Sequence, residues 1–186
     1  MSAVYENLQA VTPPDIAAAV SAFLSGLGRP ILDEEAIFQT WKNVGASPDV
    51  TDFAVVTLVA QTRQGNNKSS YDTGSEIMTV RQLTEVSVQI DFCSANDMTS
   101  LSRCNTVSIL SRDEIGISFF EPYGIHCLYA DDPKRSEADE KIAFIRYTTT
   151  LHLSYWAGVT VDIASFDTIT PTIENVDVHH PLNITE

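Results

Sequence analysis

The longest alternation of apolar and polar positions covers residues 142–156. Odd positions are mainly apolar or aromatic and even positions mainly polar, the pattern of a strand with one buried face and one solvated face. Ala157 and Gly158 then suggest a tight turn, and the alternation resumes afterwards, so we predict a long β-hairpin over residues 142–166. Fifteen extended residues span about 50 Å, but a domain of this length is only about 40 Å across. The hairpin should therefore bend or project, and the unpaired edges of a projecting hairpin favour assembly with a partner.

The same reasoning predicts elements along the rest of the chain. It places a helix at residues 14–25 capped by Thr12, a short helix from Asp33 that carries Trp41, and a strand at residues 53–63. A second long strand covers residues 76–92, with a bulge at Leu83 where the alternation breaks. A helix at residues 95–110 with Met98 inward, an extended segment at 115–121 and a strand at 125–129 follow. This order predicts an α+β fold, an antiparallel or mixed sheet with a long hairpin, flanked by two or three helices.

Two polar segments, residues 64–75 and 131–139, lie at the ends of long strands and have no apolar pattern. We predict exposed loops there, and loops on a rigid scaffold commonly carry recognition. The predicted interface residues are Gln64, Asn66, Asn67, Lys68, Tyr71, Asp131, Asp132, Lys134 and Arg135. Residues 1–166 are predicted to form one domain and residues 167–186 a weakly structured C-terminal extension.

Composition narrows the functional classes. The 186 residues carry a net charge of −14, the opposite sign to that of most proteins that grip nucleic acid by its phosphates. No apolar run approaches the length of a membrane span. The three cysteines are odd in number and lack CxxC spacing, which favours reduced, buried thiols over zinc or disulfides.

The search for catalytic patterns is negative, because the chain has no Walker A, GxGxxG, HExxH or GxSxG motif. His152 lies on the polar face of the long strand and is interpreted as a solvated surface histidine. His126 and Cys127 are adjacent in a strand, so they point to opposite faces and cannot share a metal. We therefore predict no enzymatic activity, no cofactor and no metal.

Three features together carry a resemblance to a known family. They are the first helix with its glycine and proline break, the strand ending in Gln61-Thr62-Arg63-Gln64, and the strand E-V-S-V-Q-I-D-F at residues 85–92, which passes directly into the capped helix. With the terminal strand pair, these features resemble the tail terminator, or neck terminator, proteins of long-tailed bacteriophages over roughly residues 13–166.

The resemblance implies a structural virion protein that is assembled in the host cytoplasm and needs no cofactor. Such proteins form a hexameric ring on the tail tube, stop its growth and offer a docking surface to head-closure or connector proteins. Genomic DNA passes through the ring without sequence-specific binding. Six copies at −14 each give −84, and an acidic lumen would repel phosphates so that DNA slides.

Two other interpretations stay open. Another tail-tube, tail-completion or head-closure subunit would share long hairpins and acidic surfaces. More distantly, a small soluble ligand-binding or enzymatic α+β domain would have one deep pocket lined by residues distant in sequence.

Overall fold

The structure is a computed structural model that describes residues 5–26, 30–40, 51–136 and 144–163. In chain order its elements are β1 (Tyr5–Ala10), α1 (Ile16–Gly26), a 3₁₀ turn (Glu34–Ala36), β2 (Ile37–Phe38), β3 (Asp52–Asp72), β4 (Ile77–Ser94), α2 (Asp97–Ser111), α3 (Glu114–Phe120), a second 3₁₀ turn (Glu121–Tyr123), β5 (Ile125–Ala130), β6 (Lys134–Arg135) and β7 (Ile145–Ile163). The predicted α+β class is confirmed. The structure does not describe Trp41, the first two and the last three residues of the predicted 142–166 hairpin, or the C-terminal tail. The domain division at residue 166 stays a prediction.

The sheet has seven strands in the order β1-β7-β4-β3-β2, with β5 and β6 also paired to β7. The sheet is mixed, because β2 runs parallel to β3 while every other pair is antiparallel. Its centre is the β4–β7 pair, which keeps one register from Ile77↔Asp162 to Ser94↔Ile145. On its other edge β7 pairs in succession with β6, β5 and β1.

The predicted turn at Ala157-Gly158 is wrong, because β7 is a single strand of 19 residues. Gly158 lies inside the ladder opposite Arg81. A Cβ atom added to it would lie 3.0 Å from the carbonyl oxygen of Val80 and 3.1 Å from Cγ of Arg81. A close approach inside the sheet therefore accounts for this glycine. The long hairpin of the molecule is instead formed by β3 and β4.

The predicted loop at residues 64–75 is also mostly strand, because β3 continues to Asp72 and only residues 73–76 turn. The backbone of β4 supplies ladder partners that the polar side chains of this segment do not reveal. Residues 65–67 form a bulge opposite Gln82. The bulge predicted at Leu83 of β4 is therefore found at that point of the ladder, but the extra residues belong to β3.

The core lies between one face of the sheet and the helices. Val86, Val88, Ile90 and Phe92 alternate along β4 and are fully or almost fully buried. In α1, Phe23 packs against the aromatic pair at the end of α3, with ring centroids 5.3 Å from Phe119 and 5.0 Å from Phe120. Burying a phenylalanine side chain stabilises a fold by about 1.5–3 kcal/mol, so this cluster fixes α1 and α3 against each other.

Both long helices start at a residue whose side chain accepts a backbone hydrogen bond, but the predicted cap of α1 and the predicted position of Met98 are wrong. Asp15, and not Thr12, caps α1 by accepting a hydrogen bond from the Ala18 N–H at 3.0 Å. The helix predicted at residues 95–110 is α2, which starts at Asp97, two residues later than predicted, because Asn96 Oδ1 accepts from the Met98 N–H at 2.9 Å and caps the helix there. Met98 itself is 67% exposed, so its predicted inward position is wrong.

The segment predicted as extended at residues 115–121 is the helix α3. The alternating pair Ile115 and Ile117 suggested a strand, but both side chains are exposed. Gly116 and Phe120, four residues apart, are the buried positions, and Asp113 caps the helix through the Ile115 N–H. The buried positions are therefore four residues apart, as in a helix. This spacing is not visible in the sequence, because one of the two positions is a glycine, which has no apolar side chain.

Candidate assembly surface

One end of the sheet forms an extended arm, defined here as residues 60–72 of β3, 77–83 of β4, 156–163 of β7 and all of β1. The seven arm residues of β4 span about 22 Å of strand at roughly 3.3 Å each. Every arm residue of β3 is exposed. Among the described residues, this part of β3 pairs only with β4, and β1 pairs only with β7. The arm is therefore a four-stranded antiparallel ribbon with two open edges.

The arm carries apolar side chains that the chain itself does not cover. Leu8 is 71% exposed, Tyr71 is 50% exposed and Trp156 is 42% exposed. Val161 is almost fully buried, and its ladder neighbours on the two adjacent strands are Met78 and Leu8. The arm thus combines an ordered ladder with apolar positions that remain open for contact.

The first set of predicted interface residues, Gln64, Asn66, Asn67, Lys68 and Tyr71, lies on the exposed part of β3. Gly65, Asn66 and Asn67 form the bulge. Gly65 has a φ of 66°, which favours glycine, and its carbonyl oxygen accepts a hydrogen bond from Gln82 Nε2 at 3.2 Å. These residues therefore belong to an ordered strand rather than to a flexible loop.

The second set, Asp131, Asp132, Lys134 and Arg135, connects β5 to the edge of β7. The backbone N–H of Asp131 donates to the Thr150 carbonyl at 2.8 Å, and Lys134 and Arg135 form β6. Arg135 also lies 3.8 Å from Asp97 at the start of α2. Up to residue 136 this segment is held against the sheet, so the prediction of a free solvated loop is wrong there.

A line of polar contacts connects the two sets across the sheet face opposite the helices. Gln64 Nε2 donates to Glu85 Oε2 at 3.0 Å. Glu85 Oε1 lies 3.4 Å from His152 Nδ1, and His152 Nε2 lies 3.4 Å from Asp131 Oδ1. The line joins β3, β4, β7 and the segment after β5, so the two predicted sets share one network.

His152 is the centre of this network, and its prediction as a solvated histidine is wrong. Its side chain is only 15% exposed. The ring of Tyr129 stacks on the imidazole, with centroids 4.4 Å apart and an interplanar angle of 17°. The sequence placed His152 and Glu85 on the polar faces of the two longest strands, but it did not give the register that brings them together.

The three cysteines are buried, and their thiols are held in the protonated form. Burial raises the pKa of the Cys93 and Cys104 thiols to about 12 and that of Cys127 to about 11, so all three are protonated at neutral pH. The prediction of reduced, buried thiols is confirmed. His126 is exposed while Cys127 is buried, which confirms that they point to opposite faces.

Two clefts in the described part of the molecule lie away from the His152 network. Two open clefts of about 560 and 490 Å³ flank Arg103, and neither is lined by His152 or its neighbours. Within the described ranges, no group of three or more His, Cys, Asp or Glu residues could hold a metal ion. None of the helices described is long and apolar enough to cross a membrane.

Comparison with protein families gives one match. A family model described as "Phage neck terminator protein" matches residues 15–179, which is most of the chain and extends 13 residues past Phe166. Comparison with curated proteins finds no match. The helix, the two long strands and the capped helix that carried the resemblance all lie within the matched region, although the strand predicted to end at Arg63 continues to Asp72. The chain belongs to the phage neck terminator protein family and is a structural component of the virion neck or tail.

Proposed function

We propose that the chain forms a hexameric ring that ends the tail tube and joins it to the head-closure or connector proteins. The observation that carries this proposal is the arm, because an ordered ribbon with two open edges and exposed apolar side chains requires a partner. A head-to-tail contact between identical copies closes into a ring when the rotation between them allows it.

The contact residues of this ring are proposed to be those of the two predicted sets. Gln64, Asn66, Asn67, Lys68 and Tyr71 would meet a neighbouring copy through the arm. Asp131, Asp132, Lys134 and Arg135 would offer a second contact at the other end of the His152 network. The hydrogen bond from Gln64 to Glu85 and the contacts of His152 support this grouping, because they hold both sets on one rigid sheet.

The lumen of the ring is proposed to pass DNA without gripping it. The net charge of −14 supports this role, because a surface with excess carboxylates repels phosphates at distances within about one Debye length, ~8–10 Å at physiological salt. Assembly is proposed to occur in the host cytoplasm, before head and tail join.

A non-catalytic role is part of the proposal. Ser87 Oγ and Glu85 Oε1 both lie 3.4 Å from the same His152 nitrogen, Nδ1. Asp131 lies on the other side of the ring, 3.4 Å from Nε2, as the carboxylate of a catalytic triad would, but a serine nucleophile also needs its nitrogen for itself, and here Glu85 competes for it. Substituting His152 by Gln should therefore change the stability of the fold, and no turnover should be lost with it.

Electron microscopy of the purified protein, and of tails assembled with and without it, tests the proposal. We expect sixfold rings, alone or on tube ends, and overlong or headless tails when the protein is missing. Tyr71→Ser should reduce ring formation, while Ile117→Ser, at a comparably exposed apolar position on α3, should not. A protein that stays monomeric and joins neither tails nor virions would contradict the proposal.

The nearest alternative is a tail-tube, tail-completion or head-closure subunit. Immunogold labelling of intact virions separates a terminator from a tail-tube subunit, because a terminator is present only at the junction of head and tail. A head-closure subunit lies at the same junction, and the overlong tails expected without a terminator distinguish the two. Label distributed along the tube would assign the chain to the tube itself.

A further inference from the structure

A pair of like charges faces each other on the arm. Lys68 and Arg81 are directly opposite in the β3–β4 ladder, and both side chains are exposed. Like charges directly opposite in a sheet destabilise it. Among the described residues neither side chain has an ion-pair partner, whereas Arg103 pairs with Asp52 and Arg135 with Asp97.

The bulge creates this pair. Gln64 faces Leu83, so an unbroken ladder would put Asn66 opposite Arg81. Residues 65–67 instead oppose the single residue Gln82, and the two extra positions bring Lys68 to Arg81. Bulges commonly re-aim side chains where a strand has a functional role.

Gly158 leaves room for the Arg81 side chain on the neighbouring strand. A Cβ atom at Gly158 would lie 3.1 Å from Arg81 Cγ, closer than ordinary contact. A cleft of about 300 Å³ is lined by Arg81, Asn67 and Gly158, among other residues. Arg63 also lines this cleft, and Lys68 faces Arg81 in the ladder, so the bulge and the glycine place the like-charged pair next to a recess on a strongly acidic protein.

We propose that Lys68 and Arg81 form a cationic docking point for an acidic turn on a second copy of this chain. This inference rests on the ring proposed above and names its contact. The candidate turn is Asp33-Glu34-Glu35, which is fully exposed and has no ion pair within the described residues. No other run of three consecutive exposed acids occurs in the described ranges.

The two sites lie too far apart to meet within one chain. The acidic turn directly precedes β2, where Ile37 pairs with Ala54, and Ala54 faces Phe92 on β4. Arg81 and Phe92 are separated by 11 positions on one strand, which is about 36 Å. An arm of one copy can therefore reach the turn only on another copy, which is the head-to-tail arrangement of a closed ring.

An acidic protein surface fits this pair better than DNA does. Two cations neutralise few phosphates, and binding that depends on phosphate contacts needs several at physiological salt. The excess of acidic residues in every copy supplies a complementary surface at high local concentration.

Charge reversal on the full chain tests the docking point. The double variant K68E/R81E replaces one like-charge pair by another, so the stability of the monomer should change little. It should raise the concentration for half-assembly by roughly tenfold or more, measured by native mass spectrometry with cross-linking at several salt concentrations.

A compensating charge reversal at the acidic turn tests whether the partner is a second copy of this chain. Adding D33K and E34K to K68E/R81E should return half-assembly to within about threefold of the wild type. The single variant R81E should unfold at an equal or higher urea concentration, because Glu opposite Lys68 is attractive, and still assemble more weakly.

Three outcomes would overturn the inference while leaving the ring intact. They are normal assembly of K68E/R81E, failure of the compensating variant, and loss of DNA retention in virions without loss of assembly. A wild-type chain that forms no oligomer, alone or on tails, would instead refute the ring and the docking point together.

Discussion

Substitution of Val161 by Ala tests whether the arm is rigid before assembly. Val161 lies on the arm with 4% of its surface exposed, between Met78 on β4 and Leu8 on β1. The change removes two methyl groups, each worth about 0.8 kcal/mol of burial. With a partly relaxed cavity, we expect the free energy of unfolding to fall by about 1.5–2.5 kcal/mol. The melting temperature should fall by roughly 3–8 °C.

The reasoning requires that the arm unfold together with the body. β4 and β7 run through both without a break in register, so the arm cannot open without disturbing the central ladder. Val107→Ala in α2, where the side chain is fully buried in the body, is the matched control and should cost a similar amount. Val59→Ala, at an exposed position of β3, should change the stability by less than about 0.5 kcal/mol.

Urea unfolding followed by far-UV circular dichroism measures all three variants. We expect equal slopes and lower midpoints for the two buried sites. Hydrogen exchange should show arm amides protected almost as well as those of the body strands. An unchanged midpoint for Val161→Ala beside a lowered one for Val107→Ala would refute the reasoning, because the arm would then fray independently.

Further predictions follow from single contacts. Gly116→Ala should destabilise the fold by about 1–3 kcal/mol, because the added Cβ would lie 2.3 Å from the Leu110 carbonyl oxygen. Gly26→Ala should be neutral or stabilising, because its Cβ would meet only the edge of the Phe119 ring at 3.7 Å. The melting temperatures of the two variants test this difference. The three buried cysteines should resist a thiol reagent at pH 8 and react fully in urea, because burial keeps their pKa values near 11 to 12. Hydrogen bonds from the Ser75 hydroxyl and the Gly74 N–H lower the pKa of Asp72 from its usual value of 3.8. The ionised carboxylate therefore stabilises the turn at residues 73–76 fully above pH 3.8, and this contribution is lost as the pH falls through the lowered pKa. The amide chemical shift of Gly74 should change over that pH range, and the change should be absent in Asp72→Asn.

Periodicity in the sequence was enough to predict the fold class and the central strands. The alternation in β4 and β7 reflects one buried face, so the length of β4 and the polar faces of both strands followed directly. The capping signal in the run Ser94-Ala95-Asn96-Asp97 likewise predicted the start of α2 to within two residues. These signals depend only on residues that are close together in the sequence, so they predict structure without knowledge of the tertiary fold.

The errors arose where a distant segment decides the local structure. Residues 64–72 are polar and contain Gly65 and two asparagines, yet they are strand because β4 runs beside them. Gly158 resembles a turn residue until the carbonyl of Val80 is placed next to it. The network around His152 depends on the pairing of three strands, and no single segment encodes that register.

The pairing of β1 with β7 has a consequence for how the chain folds. Ala10 pairs with Val159, 149 positions later, so the first strand has no ladder partner until almost all of the described chain has been made. Contacts between such distant segments form slowly, because a large loop must close before the ladder can stabilise it. A nascent or C-terminally truncated chain therefore lacks β7, so β1 has no ladder partner and β4 is left with a free edge. Completion of the arm is thus a late folding event, which keeps unfinished chains from presenting the full assembly surface.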